Sequence, residues 1–280
     1  MQKRLNDKEK IELVEKYETG QFTCRDLSKQ YGITSQAISG LLTRRKVRVN
    51  NNQSQLQRKY SLDEDYFNKI DTEEKAYFLG LLYADGYNHE DRNTVVLSLI
   101  DLDKTILDKF NREISSDKPL QIIRRNHKNP NWADNYRLSI VSNRISSRLK
   151  ELGCPQKKSF IIEFPNENIL PNYLLRHFIR GYFDGDGSFS TYLVKNKYKA
   201  YNLCIVSTEK FCNSLADIVE KELSLSSSLE RRHKKRNNTT RQFRIGGRKQ
   251  IYKFLDWIYQ GATIFIDRKY QKYLQEKITL

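Results

Sequence analysis

Apolar residues recur three to four positions apart at the start of the chain and later alternate with polar ones in short runs; the exchange between the two periods marks out the elements. In 7–20, Ile11, Val14 and Tyr17 stand three apart and predict a helix that Gly20 can end. A second short helix is expected over 23–31, with Thr23 and Asp26 as its N-terminal cap and Leu27 inward. After a turn at Gly32, 34–46 reads as a third helix with Ala37, Ile38, Leu41 and Leu42 inside. Ser35, Gln36, Ser39 and Arg44 are left for its polar side, the pattern of a helix-turn-helix whose last helix enters a DNA groove. An ordinary three-helix bundle with a solvated polar face is the plainer reading. The segment that follows, RKVRVNNNQSQLQRKY, is basic, polar and without periodicity, so Arg45 and Arg48 are expected to meet phosphates.

From Asp71 onward the chain states one pattern twice. Asp71 and Glu74 form a capping signal for the helix AYFLGLLYADG. Strands are predicted at 87–91 and 94–100, then a helix opened by Asp101 or Asp103 and running to 114. Strands at 120–125 and 136–141 and a helix at 144–152 complete the first unit. A linker with Pro155 and Pro165 leads to Pro171, where the order restarts. The second unit has a helix over 172–187, strands at 188–194 and 201–207, a helix over 208–223, strands at 226–233 and 240–247, and helices over 249–259 and from 267. Each unit reads α-β-β-α-β-β-α, and such duplication is the strongest organising signal here. The expected fold class is therefore α+β: two αββαββα repeats preceded by a small all-α helix-turn-helix domain. The boundaries implied are 1–48 for that domain, 49–68 for a basic linker, 69–168 for the first repeat with its connecting linker, and 169–280 for the second.

Composition narrows the partner. Among 280 residues, 50 Lys and Arg against 34 Asp and Glu give a formal charge of 50 − 34 = +16, which calls for an anionic partner, nucleic acid first. A hydrophobic fraction of 38% with 11% aromatics supports a packed core rather than global disorder. No window approaches the ~20 uninterrupted apolar residues of a membrane span. MQKRLNDKEK carries no apolar signal core, so an intracellular protein of cytoplasm or organelle is expected. Cys24, Cys154, Cys204 and Cys212 form no CxxC pair, which argues for reduced thiols and against zinc. The stretch 231–253 holds ten basic residues and no acid; its candidate DNA contacts are Arg231, Arg232, Lys234, Arg241 and Arg244. Arg124, Arg125 and Arg137 occupy the corresponding hairpin of the first repeat. The four histidines are scattered and are assigned no chemistry.

The residues that carry chemistry lie in two matched segments, FLGLLYADG (78–86) and IRGYFDGDG (179–187). Gly80 with Ala84, and Gly181 with Gly185, put small residues four apart on one helical face, which permits close approach of two backbones. Each segment ends in Asp-Gly, with Asp85 and Asp186 at equivalent positions, 186 − 85 = 101 residues apart. If the small faces pack together, two carboxylates meet at two helix C-termini that already carry about −0.5 charge each. A shared divalent cation such as Mg²⁺ resolves that repulsion. Lys158 and Lys269, each after the third helix of its unit, could stand near the carboxylates and stabilise a phosphorane. An Asp-Gly turn leading into a hairpin is the bland reading of either segment alone.

The two segments resemble the LAGLIDADG motif, and the span 69–280 resembles a single-chain, two-repeat LAGLIDADG homing endonuclease. The resemblance implies a pseudo-symmetric pair of repeats whose four-stranded sheets form a saddle on the major groove of double-stranded DNA. It implies a monomer acting on a long asymmetric target, cut across the minor groove with Mg²⁺ or another divalent cation such as Mn²⁺. The implied ligands are Asp85 and Asp186, with Ala84 and Gly185 beside them, and the implied active-site lysines are Lys158 and Lys269. Tyr83 stands where the second motif has Asp184, an earlier acid usually dispensable in the family. Two other readings share the scaffold: a non-cleaving DNA-binding regulator, and a maturase that binds intron RNA. Retention of both terminal acids argues against the regulator.

Overall fold

The computed structural model describes residues 5–19, 22–45, 47, 59–125, 129, 132–195, 197–231 and 240–278. The chain divides into two units, Met1–Ser61 and Leu62–Leu280. In the first, α1 (Asp7–Glu18), α2 (Cys24–Tyr31) and α3 (Ser35–Arg44) each begin at a side-chain cap. Asn6 with Glu9, and Thr23 with Asp26, form reciprocal capping boxes that satisfy the first backbone N–H groups. Gly32, at φ +69°, ends α2. Leu13, Tyr17, Leu27, Tyr31, Ile38 and Leu42 make a separate small core. Two expected inward residues face out. Ile11 is 47% exposed, because burial on α1 follows the four-residue step Leu13–Tyr17 rather than steps of three. Ala37 is exposed, since the step Ile38–Leu42 sets the buried stripe of α3.

The second unit contains both repeats. The first runs α4 (Glu73–Asp85), β1 (Gly86–His89), β2 (Thr94–Ile100), α5 (Lys104–Glu113), β3 (Gln121–Ile123), β4 (Asn135–Val141) and α6 (Asn143–Glu151). The second runs α7 (Leu175–Asp186), β5 (Gly187–Val194), β6 (Tyr198–Thr208), α8 (Glu209–Leu223), β7 (Ser228–Arg231), β8 (Thr240–Ile245), α9 (Arg248–Tyr259) and α10 (Asp267–Ile278). The sheets have matching antiparallel orders, β1-β2-β4-β3 and β5-β6-β8-β7. The cap of α4 differs from the sequence expectation. Thr72 Oγ1 accepts from the Lys75 N–H, while the Asp71 carboxylate pairs with Lys75 Nζ at 2.8 Å. The repeats are unequal in their first hairpin: β5 has 8 residues and β1 has 4.

One hydrophobic core spans both repeats. Ala76 through Tyr83 is buried without interruption, so α4 is apolar all round and must lie inside. Its partner is α7, and the two pack backbone to backbone in parallel register. A Cβ on Gly80 would lie 2.1 Å from Phe178 O, and one on Gly181 would lie 2.0 Å from Tyr77 O. Charge enters this interior at Arg180 among other buried polar groups. Arg180, fully buried, donates to Glu73 Oε1 on α4 (2.6 Å), Ile258 O (2.8 Å) and Ile264 O (2.8 Å). Burial and the neighbouring Arg180 charge push His177 down to about 4, so it stays neutral in this cluster.

Candidate functional site at the paired helix ends

The parallel packing of α4 and α7 brings their C-termini together. A Cβ on Gly185 would lie 2.3 Å from the Ala84 Cβ and 3.0 Å from Asp85 Oδ2, so only glycine fits beside that carboxylate. Asp85 and Asp186 are the last residues of their helices, and both side chains reach solvent. Solvent touches Asp85, yet the protein crowded around it and the Asp186 charge beside it push its carboxyl up to about 6. The two acids therefore repel across the helix pair, as like charges at two negative helix ends must.

Each helix end is closed by a lysine. Lys158, only 8% exposed, sends Nζ to Gly86 O and to Ala84 O at 3.2 Å. Lys269 Nζ donates to Phe183 O (2.7 Å), Gly185 O (3.3 Å) and Gly187 O (2.6 Å). Carbonyls at and just beyond each helix end thus receive ammonium donors, which offsets the partial negative charge of that end. Burial lowers Lys269 to about 8, but three carbonyl acceptors can be satisfied only by the full ammonium, so the cation is the neutral-pH form. Beside Asp103 Oδ1 (2.8 Å) and Oδ2 lies Arg268, whose ion pair ties α10 to the first repeat. Clefts of about 320 and 310 Å³ flank the helix ends, one lined by Lys158, Tyr182 and Asp186, the other by Lys269, Arg268 and Ser188.

The donor set suits a hard cation. Among the described residues no cluster of three or more His, Cys, Asp or Glu side chains that could hold a metal forms, and Asp85 and Asp186 stand as a pair of carboxylates. Mg²⁺ is commonly held by one or two carboxylates with phosphate and water completing the shell. The repulsion that raises Asp85 is what such a cation would relieve. Ala84 O and Gly185 O each accept a lysine proton and keep a second lone pair.

Strand register decides which basic residues face outward from the sheets. Arg137 pairs with Ser98 and Gln121, opposite in parity to buried Leu138, and lies on the face that the helices leave open. Arg244, opposite Cys204 and Ser228, lies on the open face of the second sheet, 3.5 Å from Glu230. Nε of both arginines has no hydrogen-bond partner among the described residues. Arg241 does not join them. It shares the parity of Phe243 and Ile245, faces the helices, and pairs with Glu209 Oε2 at 2.7 Å. Arg231, opposite Arg241, has the same parity at the edge strand. Arg124 is exposed just beyond β3, and Arg125 stacks its guanidinium 5.0 Å from the Trp132 ring centroid. In the first unit Ser35, Gln36, Arg44 and Arg45 are exposed on α3 and its cap, with Ser39 half-buried. Arg48, Arg232 and Lys234 fall outside the described residues.

Residues 174–259, within the second repeat, match the family model of the LAGLIDADG-like domain. The homing endonuclease I-WcaI bound to its DNA recognition sequence shares the fold, at 13% identity over 72% of this chain and 88% of that one, with a TM-score of 0.50. The LAGLIDADG homing endonuclease I-GzeII in complex with its DNA target aligns at 14% identity, covering 71% of this chain and 87% of that one, TM-score 0.48. The N-terminal LAGLIDADG domain of DUF199/WhiA aligns at 19% identity, covering 70% and 89%, TM-score 0.44. No curated protein sequence matches the chain. The second unit thus has the two-repeat LAGLIDADG fold, with two four-stranded antiparallel sheets around a central helix pair. No described helix is long and apolar enough to cross a membrane.

Proposed function

We propose that the protein is a site-specific, metal-dependent endonuclease that cuts both strands of DNA at the paired helix ends. The observation that carries this reading is the double arrangement at one place: a terminal acid on each helix, and a buried lysine on each helix end. A protein that only bound DNA would gain nothing from two carboxylates facing phosphate. Asp85 and Asp186, with Ala84 O and Gly185 O, would hold Mg²⁺ or Mn²⁺, which supplies charge neutralisation and a more acidic bound water. Lys158 uses two of its three ammonium protons on carbonyls, and the third is directed to a phosphate oxygen in the transition state. Lys269 contributes its field from a fully bonded position. The double helix lies against the open sheet faces, where Arg137 and Arg244 reach it. The test is cleavage of a supercoiled plasmid carrying the genomic sequence around the gene, with and without Mg²⁺. Cation-dependent linear product supports the reading; a footprint without any cutting would make the protein a DNA-binding regulator.

Register gives a sharper expectation for the arginines. Arg137→Ala and Arg244→Ala should each lower the salt slope of binding by about one unit, the mark of one lost phosphate contact. Arg241→Ala should leave the slope unchanged and cost stability instead, because its partner is Glu209. Equal slope changes for all three would show that strand parity does not select the DNA contacts.

The N-terminal unit is proposed to read as a helix-turn-helix that anchors the enzyme beside its cut site through Arg44, Arg45 and the polar side of α3. Every proposed catalytic residue lies in the second unit, so a chain beginning at Tyr60 should still cut at low salt. Its binding should depend less on salt, since each released phosphate contact contributes a log–log slope of about −0.9. Its footprint should also shorten on one side. Identical slopes and footprints for whole and shortened chains would mean that the unit does not touch DNA.

A further inference from the structure

Two residues before the terminal acid the two motifs carry side chains of different chemistry: Tyr83 in the first repeat, Asp184 in the second. Both side chains are buried, Asp184 completely. Asp184 Oδ2 accepts from the Tyr77 hydroxyl (2.8 Å) and the Ile266 N–H (2.8 Å), and Oδ1 accepts from the Tyr259 hydroxyl (2.7 Å). Three donors occupy the carboxylate inside the core, which leaves it unable to reach a phosphate or a cation at the surface. Ile266 is the point of leverage. Its carbonyl accepts from the N–H groups of Lys269 (3.0 Å) and Tyr270 (3.1 Å), so it opens α10, the helix that carries Lys269. One bond from Asp184 thus fixes where α10 begins.

Tyr83 does the same for the first repeat by other chemistry. Its hydroxyl donates to Leu152 O, the cap of α6, six residues before Lys158. The next residue, Gly153 at φ +92°, leaves the room the hydroxyl needs, since a Cβ there would lie 2.1 Å from it. Cys154 then donates Sγ–H to Leu82 O (3.6 Å), the carbonyl equivalent to the Phe183 O that Lys269 holds in the second repeat. Each motif helix therefore reaches, through this one position, the segment that returns a lysine to its own C-terminus.

We infer that Tyr83 and Asp184 are positioning residues, each holding the lysine of its own repeat on its helix end, Tyr83 for Lys158 and Asp184 for Lys269. The inference rests on the endonuclease reading only for its effect on cleavage; the placement of the lysines can be read without it. Amide replacement separates this role from that of a catalytic acid or metal ligand. Asp184→Asn keeps a carbonyl oxygen for Ile266 N–H and Tyr77, and its amide can donate to the Tyr259 hydroxyl. Asp184→Ala keeps nothing.

The test labels the whole chain with trace acetic anhydride and quantifies each lysine by mass spectrometry, alongside thermal melts. In the unmodified protein, Lys158 and Lys269 should react far less than surface lysines. Asp184→Ala should raise labelling of Lys269 about tenfold, the factor set by losing one buried hydrogen bond, and leave Lys158 unchanged. Tyr83→Phe, which removes a single hydroxyl, should do the reverse, and Asp184→Asn should restore protection of Lys269. Strand-resolved cleavage adds a second reading: Asp184→Ala and Lys269→Met should slow the same DNA strand, with no further loss when combined. Unchanged Lys269 labelling in a folded Asp184→Ala protein, or a Tyr83→Phe protein that exposes neither lysine, overturns the inference whether or not the protein cuts DNA. An Asp184→Asn variant as inactive as Asp186→Asn would make Asp184 a catalytic acid instead. Should Asp184→Ala fail to fold, the Tyr83→Phe and Asp184→Asn results decide the matter alone.

Discussion

Replacing Asp85 or Asp186 by Asn is expected to reduce cleavage in Mg²⁺ by about 10³-fold or more, at least the scale of losing one preorganised charge stabiliser, while DNA binding holds or tightens. Both acids end their helices beside each other and face solvent, where phosphate would otherwise meet two negative charges. The amide keeps shape and removes charge, so binding loses only a repulsion. Protonation acts like the mutation. The Asp85 carboxyl sits near 6, so the rate should fall as pH drops through about 6, about tenfold per unit below it. A cation competes with that proton, and higher Mg²⁺ should shift the falling limb to lower pH. A folded-state value raised above the usual 3.8 means that Asp85 ionisation costs the cation-free protein stability as pH rises from about 4 to 6. Above pH 6 without cation, Asp85→Asn should therefore melt slightly higher, on the order of 2 °C, a small gain because solvent reaches the carboxylate. A variant that cuts at the normal rate would remove that acid from the mechanism; an unmoved limb across a Mg²⁺ series would separate Asp85 from the cation.

Gly181→Ala should destabilise the second unit by about 3 kcal/mol or more, the upper range for overpacking, and abolish cleavage even where the chain still folds. The added methyl would meet the Tyr77 carbonyl oxygen at 2.0 Å and its carbon at 2.9 Å, both backbone atoms of α4. No side chain can turn aside there; the helices themselves must part. Parting them moves Asp85 from Asp186, so stability and chemistry fall together. Gly80→Ala should behave alike, against Phe178 O at 2.1 Å. Gly246→Ala is the control, since nothing lies within 4 Å of its added carbon. Denaturant midpoints for the three variants, with cleavage of the surviving folded fraction, would check this. A Gly181→Ala protein as stable as the Gly246→Ala control would show that the helix contact is looser than its geometry requires.

The order of elements was legible because it follows from local periodicity. Alternation in 94–100 became β2, and the three-to-four spacing in 104–113 became α5. Duplication told that the two motifs are equivalent, and small residues four apart told that their helices meet. The sequence was less able to say which of several adjacent groups takes a role. Thr72 rather than Asp71 caps α4, because either side chain can accept and only the chain direction chooses. Ile11 and Ala37 are apolar, yet neighbours one or two positions away define the buried stripe.

Sequence alone picked out the acid that ends each motif, the lysine after the third helix of each repeat and the positive charge that points to an anionic partner, since these depend on residue type and spacing. Tertiary structure alone decided three other matters. It set Arg241 toward the helices and Arg244 toward the open face, because a strand's parity is fixed by its pairing and not by its composition. It turned Lys158 and Lys269 onto backbone carbonyls, contacts that join positions 72 to 86 residues apart. It also buried Asp184 under Tyr77, Tyr259 and Ile266, three donors that come together only when both repeats have closed on one core. Residue identity is local and can be read in order; a hydrogen bond between distant segments exists only once the chain entropy of bringing them together has been overcome by packing.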